Sequence, residues 1–129
     1  MHTYSLYVIH VDNIDKAWRF YVYIVGCKLI KATDVELNLE LYGNQLSVRL
    51  GTPGANITNE NTGEGVCLGV VDWCTLSERL RERKIDFEIE TGRRFSVAPG
   101  EQCSINFSDP AGNAIQIHGF SIDSDVLAA

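Results

Sequence analysis

The chain has 129 residues, 45% hydrophobic and 22% charged, with a formal net charge of −6. That length supports one domain with a sizeable core, and the composition is ordinary for a globular protein. The acidity argues against nucleic acid or an anionic membrane as partner, since both need a basic footprint.

Met1-His2-Thr3-Tyr4 shows no basic segment followed by an apolar run, and no stretch is apolar for long enough to cross a bilayer, so a cytoplasmic protein is expected. Tyr4 to Val11 alternates and is rich in β-branched and aromatic residues, which predicts a strand. Asp12 or Asn13 can cap a helix. Ile14, Ala17, Trp18, Tyr21, Ile24 and Val25 give that helix one apolar face, and Gly26 stops it. Strands follow at about Lys28–Ala32, Asp34–Tyr42 and Gln45–Leu50, with Gly43-Asn44 as a hairpin turn. The stretch 51–63 is rich in Gly, Asn and Thr, holds Pro53, and reads as a loop joining two halves. Gly65–Val71 predicts a strand, and Asp72 a second helix cap. Trp73, Leu76 and Leu80 form that helix's apolar face, with Glu78, Arg79, Arg81, Glu82, Arg83 and Lys84 opposite. Strands at Asp86–Glu90, Gln102–Phe107 and Ala114–Gly119 complete the chain, and the acidic tail after Phe120 is expected to lack order.

Cys27, Cys67, Cys74 and Cys103 include no Cys-x-x-Cys pair. Without a secretory signal they are expected as reduced thiols serving as small hydrophobes. Asn56-Ile57-Thr58 and Asn106-Phe107-Ser108 match the glycosylation sequon, accidentally in such a context.

Both halves read strand-helix-strand-strand-strand. A period of roughly sixty residues is too long for a solenoid and suggests duplication of one supersecondary unit. The expectation is a single α+β domain over residues 1–129. Module one spans about 4–51, a linker 52–63 and module two 64–120. Each unit is βαβββ, with the helix covering the sheet's apolar face.

Several segments, in order, resemble the vicinal oxygen chelate superfamily (glyoxalase, bleomycin resistance protein, extradiol dioxygenase). Val11-Asp12-Asn13-Ile14-Asp15-Lys16-Ala17-Trp18-Arg19-Phe20-Tyr21 resembles the first-helix signature. Val25-Gly26-Cys27-Lys28 resembles the turn after it, and Leu41-Tyr42-Gly43-Asn44-Gln45-Leu46 the next hairpin. Arg94-Phe95, Pro99-Gly100-Glu101-Gln102 and Asp109-Pro110-Ala111-Gly112-Asn113 resemble the second-half signature, and the last turn feeds Ala114-Ile115-Gln116-Ile117-His118. The resemblance implies a mixed sheet curled into a cup, with helices outside and the site inside.

Strand alternation then sorts the faces. Val35, Leu37, Leu39 and Leu41 form an apolar set, leaving Glu36, Asn38 and Glu40 on the other face. Leu46, Val48 and Leu50 go to the core, leaving Gln45, Ser47 and Arg49. Ser104 and Asn106 oppose Ile105 and Phe107; Gln116 and His118 oppose Ile115 and Ile117. Cys67 has cup-facing parity, and the family alignment adds Leu6, Val8 and His10. The candidate ligand-binding residues are therefore His10, Glu36, Asn38, Glu40, Ser47, Arg49, Cys67, Ser104, Asn106, Gln116 and His118. Arg49 needs Glu36, Glu40 or an anionic ligand as partner.

Metal-dependent members take ligands from the first, fourth, fifth and eighth strands. Those places fall here on Leu6; on Asn44, Ser47 or Arg49; on Gly65 or Val66; and on Gln116. Leu6 and Gly65 carry no donor, so no metal and no cofactor is expected. A displaced site would draw on His10, His118 and Glu36 or Glu40. The resemblance to drug-sequestering members implies a metal-free binding protein for an unidentified small molecule, a homodimer, with Tyr4, Tyr7 and Phe95 serving its pocket. The alternatives are a diverged enzyme, with a relocated metal or with His10 or His118 as a base, and a vestigial cup used for assembly.

Overall fold

The computed structural model describes residues 6–58, 65–91 and 102–120. The expectations for Tyr4, Arg94, Phe95, Pro99 to Glu101 and the C-terminal tail lie outside those residues. The chain runs β1 (Leu6–Val11), α1 (Ile14–Trp18) continuing into a π-helical segment (Arg19–Val25), β2 (Lys28–Ala32), β3 (Glu36–Leu41) and β4 (Asn44–Leu50). It repeats as β5 (Val66–Gly69), α2 (Val70–Glu82), β6 (Glu88–Thr91), β7 (Gln102–Ser108) and β8 (Ala114–Phe120).

Each half forms a four-stranded mixed sheet with the same order, β1-β4-β3-β2 and β5-β8-β7-β6. The first strand of each pairs parallel with the last, and the other pairs are antiparallel. A parallel pair needs a long crossover, and the helix with its two following strands provides it. The α+β βαβββ duplication read from the sequence is thus the observed architecture. One hydrophobic cluster draws on both halves, including Phe20, Leu37, Val48, Trp73, Leu76, Ile105 and Ile117. No helix among the described residues is long and apolar enough to cross a membrane.

Local chemistry sets the helix ends. Asn13 Oδ1 accepts from Lys16 N at 3.0 Å, an N-cap that satisfies an orphan donor. Gly26 adopts φ 95, and its N–H and that of Cys27 both reach Tyr21 O. Further carbonyls at that end accept from a distant side chain: Arg79 Nε donates to Ile24 O at 2.9 Å and Arg79 Nη2 to Tyr23 O at 3.0 Å. A cation at a helix C-terminus is favoured by both the free carbonyls and the dipole. Module two's helix thereby caps module one's.

Four local expectations are corrected. The β3–β4 turn is Tyr42-Gly43, with φ 47 and 87, one residue earlier than Gly43-Asn44. Two successive positive φ values make the turn type that follows a hairpin's twist, and they leave Asn44 free to start β4. Helix α2 begins at Val70 with Gly69 as N-cap; Asp72 lies in its first turn, where it still complements the dipole. Val35 and Leu50 are exposed rather than core, at 56% and 45%: Val35 lies before β3, and Leu50 is the last residue of β4. Tyr7 is a core residue, 1% exposed, with its hydroxyl donating to Gly65 O at 3.1 Å.

The Asp109 turn ties the halves together. Asp109 Oδ1 accepts from Ala111 N and Asn113 N, and Oδ2 from Tyr21 Oη at 2.6 Å and Asn113 Nδ2 at 2.8 Å. Asn113 Nδ2 also donates to His10 O, while Asn113 Oδ1 accepts from Gly54 N and Ala55 N of the linker. The Asp109–Asn113 turn is therefore a clamp joining the first helix, β1, the linker and β8. Burial, then the Asp109 charge and hydrogen bond, push the Tyr21 phenol well above its ordinary 10.0.

Candidate functional site

An open cleft of about 1110 Å³ lies between the linker at 56–58, the segment 84–88 after α2, and strands β7 and β8. Of the residues singled out from the sequence, Asn106, Gln116 and His118 line it. They come together through register: Asn106 pairs with Gln116 across β7–β8, and Ser104 with His118. Core packing of Ile105, Phe107, Ile115 and Ile117 on the opposite face turns this polar set outward.

His118 is largely buried, and its Nδ1 lies 2.6 Å from Ser104 Oγ. That contact fixes the ring's orientation. The Nδ2 of Asn106 is buried and makes no hydrogen bond among the described residues. Cys67 is half-buried on the same face, registered with His118, and its thiol donates to Gly65 O at 3.5 Å.

The remaining candidates lie on the first sheet and do not line this cleft. Glu36 Oε2 accepts from Ser47 Oγ at 2.9 Å and from Arg49 Nε at 3.2 Å. Glu36 is thus the partner that the Arg49 charge required. Asn38 pairs in register with Ser47, and the exposed Glu40 with Gln45. His10 is exposed and lies against Gly51, where an added Cβ would meet the ring at 2.6 Å.

Sequence reasoning missed Asn56, Thr58, Lys84, Asp86, Phe87 and Glu88, all of which line the cleft. Their loops carry no periodic signal. Only Glu88 was findable, from its alternation with Ile89 once the pairing of β6 is known.

The three free cysteines among the described side chains differ in setting: Cys27 is buried, Cys67 half-buried and Cys74 exposed. Cys27 thus packs in the core as a small hydrophobe, whereas Cys74 lies outside it. Burial pushes the Cys27 thiol up to about 12, outweighing the nearby Arg79 charge, and desolvation also raises Cys74.

Two βαβββ modules with this strand order match the glyoxalase/bleomycin resistance/dioxygenase fold. Solved structures of that kind match nearly end to end. The protein of that description from Alicyclobacillus acidocaldarius is 21% identical, with 96% of each chain covered and a TM-score of 0.69. TnmS3, an antibiotic binding protein from Streptomyces sp. CB03234, is 22% identical over 94% of this chain and 98% of its own, with a TM-score of 0.60. A lactoylglutathione lyase from Agrobacterium tumefaciens is 17% identical over 92% and 94%, with a TM-score of 0.61. No family model and no curated protein matches the chain.

The residues at the metal-ligand places do not fit the divalent ion associated with this fold. Leu6 offers no donor, and Ser47 and Arg49 are engaged with Glu36. At Gly65 a Cβ would stand 2.5 Å from the backbone oxygen of Gln116, so a ligating side chain has no room without a backbone shift. Val66 carries no donor, and Asn44 is buried with its Nδ2 donating to Leu41 O and Cys67 O, so only neutral amides remain, those of Asn44 and Gln116, which are weak ligands. No three His, Cys, Asp or Glu side chains among the described residues gather as a metal site.

Proposed function

We propose that this chain is a small-molecule-binding protein of the vicinal oxygen chelate superfamily that works without the family's metal. The observation carrying this reading is the cleft: about 1110 Å³, bordered by apolar Ile57 and Phe87, with Asn106, Gln116 and His118 in its wall. Ligand sites combine such a concave, mixed lining with a few convergent polar groups. An antibiotic-binding protein among the neighbours supports the comparison. The reading includes a cytoplasmic location and a homodimer in which a second copy narrows the open cleft. Ligand is held by exclusion from water and hydrogen bonding, and no bond is made.

A thermal-shift screen of small molecules on metal-analysed protein tests it. Binders that raise the midpoint and perturb Gln116 and His118 resonances support it. A stoichiometric divalent ion, whose removal by chelator lowers the midpoint, refutes the metal-free part. A screen in which no compound class binds refutes the pocket.

A second reading, acid–base catalysis, is favoured by one contact, the 2.6 Å approach of Ser104 Oγ to His118 Nδ1. With Nδ1 protonated and donating to Ser104, Nε2 is the basic nitrogen. Turnover that falls in His118→Gln while binding persists distinguishes it.

A further inference from the structure

Strand register assembles a thiol, an imidazole and a hydroxyl on one face of the second sheet. Cys67 of β5 pairs with His118 of β8, and His118 with Ser104 of β7. The residues alternating with them, Val66, Leu68, Ile105 and Ile117, are buried in the core, so all three side chains leave the sheet on its other face. Registered neighbours on adjacent strands stand about 5 Å apart. The imidazole therefore lies between the thiol and the hydroxyl.

The orientation of the ring gives the row a direction. His118 Nδ1 is 2.6 Å from Ser104 Oγ, and both residues are buried. An imidazole carries Nδ1 on one edge and Nε2 on the other. With Nδ1 turned to β7, Nε2 lies on the edge toward β5, where Cys67 stands. With Nδ1–H donating to Ser104, Nε2 holds the lone pair. A base oriented by a third group beside a thiol is the arrangement that activates a nucleophile. The Cys67 thiol donates to Gly65 O at 3.5 Å, a weak contact, and an imidazole is a far stronger base than an amide carbonyl.

Access separates Cys67 from the other described cysteines. Cys27 is closed off in the core, and Cys74 is exposed on α2. Cys67 is half-buried, and the open cleft reaches both Gly65, two residues before it on the same face, and His118 beside it. A small molecule in the cleft is thus one residue from the sulfur.

We propose that Cys67 and His118 form a thiol–imidazole pair that captures small α,β-unsaturated carbonyl compounds covalently, with Ser104 as the positioning residue. Nε2 takes the thiol proton, and the sulfur bonds to the β-carbon as the carbon–carbon π bond breaks. The electron pair moves to the α-carbon as an enolate, and Nε2 returns the proton there. Nothing else is consumed, because the proton that the thiol gives up is the one the adduct requires. This activity goes beyond the reversible binding above and rests on the His118 tautomer of the second reading.

The full chain is treated with acrylamide, and adducts are followed by peptide mass spectrometry with Cys74 and Cys27 as references in the same sample. Half-buried Cys67 should react at least about tenfold faster than exposed Cys74, the reverse of what exposure alone dictates. His118→Gln should slow Cys67 at least about tenfold and leave Cys74 unchanged, with an inert Cys27 showing that the variant is folded. Ser104→Ala should slow Cys67 about fivefold, and Ser104→Thr should restore it. Iodoacetamide needs the thiolate but no returned proton, so Cys67 should gain less over Cys74 with it. A Cys67 no faster than Cys74, or unslowed in His118→Gln, overturns the pair. Should His118→Gln expose Cys27, an unslowed Cys67 in Ser104→Ala overturns it instead. An equal advantage with both reagents overturns the enone class. Adduct mass reports capture alone: its failure leaves release of a turned-over product, the readout of the second reading, standing, and absent turnover leaves capture standing.

Discussion

Tyr21→Phe removes one oxygen from a buried polar network that joins the two halves. Tyr21 is 2% exposed and Asp109 5%, and their contact of 2.6 Å has the length of a charge-assisted bond. The ring stays, and with it the edge-on packing against Phe20 at 5.1 Å between centroids. A hydrogen bond to a charged group contributes about 1.5–3 kcal/mol. Asp109 keeps three donors, from Ala111 N, Asn113 N and Asn113 Nδ2, so the carboxylate is not stranded. The loss should therefore fall near 2 kcal/mol, or about 5–8 °C in melting temperature for a domain of this size. Urea unfolding followed by circular dichroism measures it, with an unchanged denaturant slope as the sign that only stability moved.

The same variant carries a pH signature. Burial raises the folded-state pKa of Tyr21 above its ordinary 10.0, assisted by Asp109. A raised acid contributes stability that is full below its unfolded value and lost as pH climbs above it. The gap between wild type and Tyr21→Phe should hold from neutral pH to about 10 and narrow above it. A loss under about 0.5 kcal/mol at pH 7, or a gap that does not narrow in alkali, would refute the clamp as a stabilising device.

Asp109→Ala deletes four accepted bonds at once and should be worse than Tyr21→Phe, on the order of 4 kcal/mol. The double variant should be less destabilised than the sum, by about 1 kcal/mol or more, in a double-mutant cycle. Gly119→Ala places a Cβ 2.6 Å from Trp73 Cγ, and relief requires the buried indole to move. It should cost about 1–3 kcal/mol and shift the Trp73 emission; an unchanged melting curve would show that the helix–sheet contact is looser than drawn. At pH 8, mass spectrometry after iodoacetamide should find exposed Cys74 alkylated at least about a hundredfold faster than Cys27. Cys27's thiol adds stability present below its ordinary 9.0 and lost as pH rises toward about 12, so Cys27→Ala should soften the alkaline decline.

The order of elements was legible because its signals are local. Apolar residues at helical spacing from Ile14 to Val25, alternation in β3, β4 and β8, and Gly26 after the first helix each act within a few residues. The errors are local too. Tyr42 adopts positive φ without being glycine, shifting the expected turn by one. Gly69 caps α2 without a side chain, so Asp72 drew attention in its place. For the site, parity sorted Asn106, Gln116 and His118 correctly from their apolar neighbours, since period two needs no partner strand. It could not separate the two sheets' polar faces, and so grouped Glu36, Ser47 and Arg49 with residues that line another surface.

The sequence by itself determined the two βαβββ modules, the Asp109 turn and the absence of donors at Leu6 and Gly65, because backbone preference and side-chain chemistry belong to each residue. Tertiary structure decided what those residues meet. Tyr21 reaches Asp109 across 88 positions and Arg79 caps carbonyls 55 positions away, pairings set by how the two halves pack. The row Cys67–His118–Ser104 likewise exists only because three strands share one register. Register is chosen by the buried face as a whole, since a slip of one residue would turn every core side chain to water.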